Sequence, residues 1–234
     1  MGDETIEVGS RRIEAGNLDD VIFPGPGITQ GDLISIYRKL ADTMLPHLVG
    51  RPLTMERYPD GIEEEGFYQR KAPDYFPDWI RRVSIHVKED DGEQPVVVCE
   101  DEATMVYLVD QGVVTPHVWL SRADRLELPD KLIFDLDPPD DDFGPVRFAG
   151  ELLHDILSDL GLVSFVMTTG SRGAHVVVPL KREEDFDSTR GFAQDVAKLA
   201  AAEAPDRLTV EMRKKDRGDR VFVDTLRNAY GQNS

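Results

Sequence analysis

From Lys131 onward the chain alternates short apolar runs with amphipathic stretches in an order that few folds accommodate. KLIFDLD (131–137) reads as a strand. PVRFAGELLHDILSDLG reads as a helix with Phe148, Leu152, Leu153, Ile156, Leu157 and Leu160 on its buried side. VSFVMTT and AHVVVPL read as strands separated by GSRG, and Ser188 to Glu203 as a second helix. DRLTVEM and DRVFVD are the last strands. The order is β-α-β-β-α-β with one strand extra. It predicts an α+β fold built on a split β-α-β (RRM-like) sheet with helices on one face.

The N-terminal half is less regular. Residues 1 to about 16 are polar and read as a mobile segment. Thr29 is placed to cap a helix with Asp32 in its first turn, and Ile34, Tyr37, Leu40, Ala41, Met44 and Leu45 form its apolar face. Pro46 lies near its end. Pro52 to Tyr58 reads as a strand closed by PDG, and Gly61 to Trp79 as an irregular surface segment. VSIHV (83–87) and PVVVC (95–99) are strands around a turn at Asp90–Gly92. Asp101 caps a helix through Asp110, PHVWL (116–120) is a strand, and SRADRLELPD is a loop.

The chemistry concentrates in KLIFDLDPP. Alternate strand residues share a face, so Asp135 and Asp137 point the same way and Leu136 the other. Adjacent carboxylates raise each other's pKa unless a cation lies between them. A hard divalent ion with oxygen ligands, Mn²⁺ or Mg²⁺, is the simplest occupant. Asp224 ends the last apolar strand, and the first and last strands of a split β-α-β sheet can be neighbours. Asp224 then completes a three-carboxylate set for two metals about 3.5–4 Å apart. The bland alternative is a solvated acidic turn. A calcium loop is excluded because Asp140 stands where an EF-hand loop needs glycine. Asp140, Asp141 and Asp142 read as exposed.

Between two strands, TTGSRGAHV combines two glycines, Ser171 and Arg172, a combination suited to phosphate, with His175 close by. A plain hairpin connection is the alternative. KKDRGDR (214–220) is the one dense basic run, able to hold phosphate or to form a hairpin tip. FYQRK (67–71) sets two aromatics beside two cations, as base stacking requires, although Phe67 also suits a core. His117 and Trp119 share a strand face, an arrangement typical of core packing.

Composition limits the classes. Hydrophobic residues make up 40 % of the 234, enough for a real core, and no apolar run is long enough to span a bilayer. The N-terminus does not read as a secretory signal. The single cysteine, Cys99, excludes an internal disulfide and reads as a buried small hydrophobe in a protein of the reducing cytoplasm. A net charge of -18 is unusual for a nucleic-acid enzyme, which needs a basic face. Either nucleic acid is not the partner, or a local basic surface sits in an acidic body. The excess of Arg over Lys and of Asp over Glu fits a surface adapted to high salt.

Taken together, NLDDVIFP, TQGDLISIYRKLA, LPHLVGRPLTMERYPDG, GFYQRKAP, HVW, KLIFDLDPP, TTGSRGAHVVVPL and RVFVDTLRN resemble the polymerase domain of bacterial DNA ligase D, within the archaeo-eukaryotic primase superfamily. The resemblance runs from Asn17 to the C-terminus. It implies a single catalytic domain over 1–234, made of an N-terminal α/β module (approximately 17–125) packed on a catalytic split β-α-β module (126–234). It implies a template-directed primase-polymerase that prefers ribonucleotides, works with Mn²⁺, and fills gaps and extends DNA ends in non-homologous end joining with Ku and a ligase. Its NTP or dNTP substrate is contacted by Thr169, Ser171, Arg172, His175, His117 and Arg217. Asp135, Asp137 and Asp224 are the metal ligands, and Asn17, Arg57, Phe67, Tyr68, Arg70 and Lys71 meet nucleic acid. A cytoplasmic, nucleoid-associated protein follows.

Three departures stand out. Asp20 and Gln30 replace lysines that in relatives grip a downstream 5′-phosphate. Glu56 replaces a basic residue, and Arg227 stands where glutamine is frequent. Relatives also continue past the NAYG segment into a tail bearing a further arginine. A stand-alone primase or terminal transferase without 5′-phosphate recognition, or a nucleotide-binding module without catalysis, are the alternative readings.

Overall fold

The computed structural model describes residues 4–87 and 92–232. The chain divides between Trp119 and Leu120 into two compact units. The turn expected at Asp90–Gly92 falls mostly outside the described residues.

In the first unit, the segment expected to be mobile instead forms a hairpin of β1 (Glu4–Val8) and β2 (Arg11–Ala15), because its few apolar residues, Val8, Ile13 and Ala15, are buried, and β3 (Val21–Phe23) pairs with β4 (Ile28–Thr29). Helix α1 (Gln30–Leu48) starts at Thr29 with a capping box. The Thr29 hydroxyl accepts from the Asp32 amide at 3.2 Å and the Asp32 carboxylate from the Thr29 amide at 3.1 Å. Of the predicted apolar face, Ile34 and Ala41 are buried and Tyr37, Met44 and Leu45 partly so. Leu40, at the edge of the stripe, is exposed.

Strands β5 (Leu53–Arg57) and β6 (Phe67–Gln69) pair with each other, and β7 (Arg82–Val87) with β8 (Gly92–Val97). Helix α2 (Glu102–Asp110) is capped by Asp101, whose carboxylate accepts from the Thr104 amide at 2.8 Å. Strand β9 (Val113–Val118) completes the order β6-β5-β9. Gly61 to Trp79 is therefore not wholly irregular. Three of its residues extend the sheet through Glu56↔Tyr68, and Phe76 is 2 % exposed, packed edge-on against Tyr107. Cys99 is fully buried, and burial pushes its thiol up to about 12, the state of an inert core residue.

In the second unit the expected loop SRADRLELPD forms a hairpin, β10 (Ser121–Arg122) with β11 (Arg125–Pro129). Its first strand, two residues long, is too short to show a period. There follow β12 (Lys131–Asp137), α3 (Phe143–Asp159), β13 (Phe165–Thr168), β14 (Ala174–Pro179), α4 (Phe186–Glu203), β15 (Leu208–Thr209), α5 (Lys214–Arg217) and β16 (Val221–Asp224). The sheet order is β13-β14-β12-β16-β15, with β12 antiparallel to both neighbours. Leu132, Phe134 and Leu136 of β12 enter the core with Val176, Val178, Val221 and Val223. Leu153, Leu157, Ala193 and Ala197 of α3 and α4 cover them. Helix α3 buries Leu153, Ile156 and Leu157 as predicted. Leu160 is its exposed C-cap, and Phe148 is half-buried beneath the Arg207 guanidinium at 3.3 Å. Among the described residues no helix is long and apolar enough to cross a membrane.

The end of β16 is secured by a side chain. After Asp224 the chain turns into a short 3-10 helix (Leu226–Asn228), leaving Ile133 of β12 without a strand partner on that side. The fully buried Asn228 replaces it. Its Oδ1 accepts from the Ile133 amide at 2.8 Å, and its Nδ2 donates to the Ile133 carbonyl at 2.7 Å and to the Thr225 carbonyl at 3.0 Å. Asn228→Ala strands two buried backbone groups, so a loss of about 2–4 kcal/mol is expected. Equilibrium urea unfolding should show a lower midpoint with an unchanged slope.

Candidate active site

Strand β12 carries Asp135 and Asp137 on the face opposite its core residues. Across β14 its partner at Asp135 is His175, and across β16 it is Asp224. Three neighbouring strands thus set His175, Asp135 and Asp224 in one row, with Asp137 two residues further along β12. The sheet register, not the spacing in sequence, brings Asp224 to the pair.

The GSRG turn is held against the end of β12. A Cβ on Gly173 would stand 2.5 Å from the Leu136 carbonyl oxygen, so no other residue allows this approach. Gly170 has φ +75, the left-handed conformation that the turn requires. Thr169 braces the loop, its hydroxyl donating to the Gly173 carbonyl at 3.1 Å. Ser171 and Arg172 are exposed on the turn, and Arg172 reaches Asp141 at 3.5 Å. Asp140, Asp141 and Asp142 are exposed as expected, and Asp142 also caps α3.

The electrostatics of the row are finely opposed. Asp135 is 6 % exposed. Burial would raise its carboxyl, but His175 and Arg227 outweigh that and hold it below the usual range. Arg227 Nε donates to Asp135 Oδ2 at 2.5 Å, and His175 Nε2 lies 3.4 Å from Oδ1. Neither ring nitrogen of the buried His175 has a hydrogen-bond partner among the described residues. Asp137 moves the other way. Burial raises its carboxyl, and the charges of Asp135 and Asp224 add to this against the opposing pull of Arg217 and Arg227. Arg217 lies over the Phe222 ring at 3.7 Å and donates to the Glu211 and Met212 carbonyls at 3.0 Å each. Its Nη1 is 3.9 Å from Asp137. KKDRGDR is therefore not a hairpin tip. It holds α5 and delivers Arg217 to the carboxylates. Arg227, whose place the sequence marked only as a departure, lies closer to Asp135 than His175 does, at 2.5 Å against 3.4 Å.

The donor chemistry fits a hard divalent cation: three carboxylates at one corner, one of them raised by burial and by the charge of the others. As placed, however, no three acidic, histidine or cysteine side chains among the described residues form a group that holds an ion. The reason is local. Asp135 is committed to Arg227, Asp137 lies near Arg217, and Asp224 Oδ1 accepts from the Leu226 amide at 2.7 Å. Ion binding requires these contacts to be exchanged.

The remaining predicted site residues lie on the first unit, in two groups. Asn17, at φ 56, and Arg57 line a cavity of about 310 Å³ together with Glu14, Asp20, Gln30 and Asp110. Arg57 spends its donors on the Gln111 carbonyl (2.9 Å), Gln69 Oε1 (2.7 Å) and the Tyr75 hydroxyl (3.2 Å). Gln30 is buried, its amide donating to the Val109 carbonyl. In the second group Phe67 and Tyr68 are 44 % and 67 % exposed, so neither belongs to the core. Trp119, by contrast, is fully buried, with the Arg70 guanidinium 5.9 Å from its ring centre. Lys71 forms an isolated bridge to Val96. His117 stands 5.6 Å from the Tyr68 ring, and its Nε2 is 2.9 Å from Glu56. The same carboxylate accepts from the Tyr58 hydroxyl at 2.9 Å and the Tyr68 hydroxyl at 3.2 Å. Glu56 thus gathers residues that sequence reasoning left unconnected.

The split β-α-β sheet, with an aspartate pair on its central strand, a third aspartate on the adjoining strand and a glycine-rich turn beside them, has the fold of an archaeo-eukaryotic primase-type nucleotidyltransferase, and comparison with known proteins agrees. Residues 29–234 match the family model for the LigD primase-polymerase domain, and the chain belongs to that family. It is 31 % identical over 223 residues to the bifunctional non-homologous end joining protein LigD of Bacillus subtilis, covering 94 % of this chain and 35 % of that protein. It is 32 % identical over 212 residues to the multifunctional LigD of Pseudomonas aeruginosa, covering 90 % and 25 %. The chain therefore spans about a third or less of the length of these curated relatives. The polymerase domain of Mycobacterium tuberculosis ligase D, solved in complex with DNA, superposes with a TM-score of 0.89 at 26 % identity, covering 96 % of this chain and 81 % of that one.

The Glu56 cluster has a pH signature. Burial tends to raise this carboxyl, but the bonds from His117, Tyr58 and Tyr68 bring it below its ordinary 4.5. A depressed carboxyl contributes stability above its unfolded value and loses it as the pH falls through the folded one. The stability gap between wild type and Glu56→Gln should be full above pH 4.5 and close on further acidification. Urea melts over that range measure it.

Proposed function

We propose that this chain is a template-directed primase-polymerase that adds nucleotides, ribonucleotides by preference, to DNA ends and gaps during non-homologous end joining. The cross-strand pairing of Asp135 with Asp224, with Asp137 on the same face, is the observation that carries this reading. Both units would serve this one reaction as a single catalytic domain, with Ku and a ligase as partners, at the nucleoid in the cytoplasm.

Asp135, Asp137 and Asp224 would hold the divalent cations, Mn²⁺ or Mg²⁺. When bound, the metals supply Lewis-acid activation of a 3′-hydroxyl and charge neutralisation at the triphosphate. The chain's own residues do the positioning. Ser171, Arg172 and Thr169 on the GSRG turn receive the triphosphate, with the buried imidazole of His175, 3.4 Å from Asp135, beneath it. Arg217, fixed on Phe222 and two carbonyls, meets charge that develops beside Asp137. In the transfer the 3′-oxygen bonds to the α-phosphorus, the α–β anhydride breaks, pyrophosphate leaves, and the hydroxyl proton passes to solvent. To the first unit we assign base stacking by Phe67 and Tyr68, nucleotide contact by His117, and nucleic-acid contact by Asn17, Arg57, Arg70 and Lys71.

The second reading, extension without 5′-phosphate recognition, draws support from the cavity around Asn17. Its wall carries Glu14, Asp20 and Asp110 against the single cation Arg57. Primer extension on gapped duplex and on 3′-overhangs tests both readings, with ribo- and deoxynucleotides and either metal. Extension is expected to need metal and to fall by at least about 10³-fold in Asp135→Ala/Asp137→Ala. Gaps with and without the 5′-phosphate should be filled at equal rates. Phosphate-stimulated filling would remove the second reading, and metal-dependent extension unaffected by the double substitution would remove the first.

A further inference from the structure

Two arginines face the aspartate row, and they are held in opposite ways. Arg217 is anchored. Its guanidinium lies 3.7 Å over the Phe222 ring, two backbone carbonyls accept from it, and its side chain is 16 % exposed. Arg227 has its Nε on Asp135 at 2.5 Å, and its side chain is 39 % exposed. The carboxylate it holds is 9 % exposed. One end of this pair is enclosed and the other opens to solvent, so the guanidinium can leave while Asp135 stays.

The backbone beneath Arg227 has no such freedom. Leu226, before it, donates its amide to Asp224 Oδ1 at 2.7 Å. Asn228, after it, is fully buried and bonded to both backbone groups of Ile133. These contacts set residue 227 beside the row and leave only its side chain able to move. The family resemblance expects glutamine at this position, which offers hydrogen bonds without charge. An arginine here is a cation that the fold itself delivers to the carboxylates.

A hard cation at Asp135 has to displace that guanidinium. Arg227 Nε takes Oδ2 and His175 Nε2 stands 3.4 Å from Oδ1, so both oxygens of Asp135 face a nitrogen. A charge-assisted bond is among the stronger kinds. A ligand that binds only the open arrangement has its apparent affinity lowered by the fraction of molecules that are open. We propose that Arg227 is an exchangeable counter-ion of this site. It neutralises Asp135 until a divalent cation arrives, competes with that cation for the carboxylate, and on release offers its charge to the phosphates of the nucleotide. Cation and triphosphate then reinforce each other's binding, because the triphosphate gives the displaced guanidinium an acceptor and the cation alone does not. This inference rests on the reading of Asp135, Asp137 and Asp224 as cation ligands.

The test is Mn²⁺ binding to the full chain, followed by the paramagnetic resonance signal of the free ion. Affinity for a nucleoside triphosphate with an inert α–β bridge is measured in parallel, without and with saturating Mn²⁺. Arg227→Gln supplies the uncharged side chain and Arg227→Lys keeps the charge. Both leave a donor for Asp135, and a thermal melt checks that each is folded. Arg147→Gln removes a charge from α3, where the side chain is 74 % exposed. Without nucleotide, Arg227→Gln should bind Mn²⁺ about tenfold more tightly than wild type. Arg227→Lys should stay closer to wild type, and Arg147→Gln should match it. The gain in nucleotide affinity on adding Mn²⁺ should be smaller in Arg227→Gln than in wild type. Asp135→Ala/Asp137→Ala is the control for the site. Mn²⁺ binding that needs the aspartates but is unchanged or weaker in Arg227→Gln overturns the proposal and leaves the cation reading standing. Equal tightening in Arg227→Gln and Arg227→Lys overturns it too, because charge would not be the cause, as does an undiminished gain in nucleotide affinity. Mn²⁺ binding indifferent to the aspartates overturns the cation reading and the proposal with it.

Discussion

The structure of the second unit depends on one pairing, β12 against β16. Because it is antiparallel with Asp135 opposite Asp224, it places like charges directly across a strand boundary. Such an arrangement is destabilising for a sheet and has to be offset elsewhere. The offset is visible around the row: Arg227 and His175 at Asp135, Arg217 beside Asp137, and the Leu226 amide at Asp224. Asn228 then closes the ladder where β16 ends. The helices lie on the opposite face, so the core residues Leu132, Phe134 and Leu136 keep β12 in place while its alternate residues remain available for chemistry.

The same balance addresses the strong negative charge of the chain. A net charge of -18 does not describe the surroundings of the acidic row. Arg172, Arg217 and Arg227 stand within or beside it, and Arg190 lies just beyond Asp224. Each guanidinium is fixed by a carboxylate, a ring or the helix that bears it. An anionic ligand or a cation can exchange for those contacts locally, without a broadly basic surface.

Much of this was legible in the sequence because it rests on local periodicity. The alternation in KLIFDLD identified β12 and the shared face of its aspartates, and Thr29 and Asp101 marked helix starts that the structure retains. What escaped notice depends on partners distant in the chain or on strands too short and polar to show a period. Strand β6 is three residues long and β10 two, too short to show a period. Arg227 meets Asp135 across 92 residues and Glu56 meets His117 across 61, so neither pairing has a local trace. The placing of Leu40 and Leu160 on buried faces failed for another reason: both lie where a helix face meets its edge or its end.

The first unit shows how a replaced residue can be absorbed into structure. Where the family resemblance expects lysine, Gln30 is buried at the start of α1 and ties that helix to the Val109 carbonyl at the end of α2. The backbone donors of this helix start are used as well. The Gln30 amide donates to the Asp20 carbonyl at 2.8 Å and the Gly31 amide to the Leu18 carbonyl at 2.9 Å. A helix N-terminus attracts an anion through such free amides, and here two of them are already bonded. Asp20 adds negative charge in the adjoining cavity, and Arg57 has Nε and Nη1 engaged. Where the resemblance expects two lysines, the cavity thus carries the acidic groups Glu14, Asp20 and Asp110, and the Gln30 side chain and the first amides of α1 serve to hold the helix start in place.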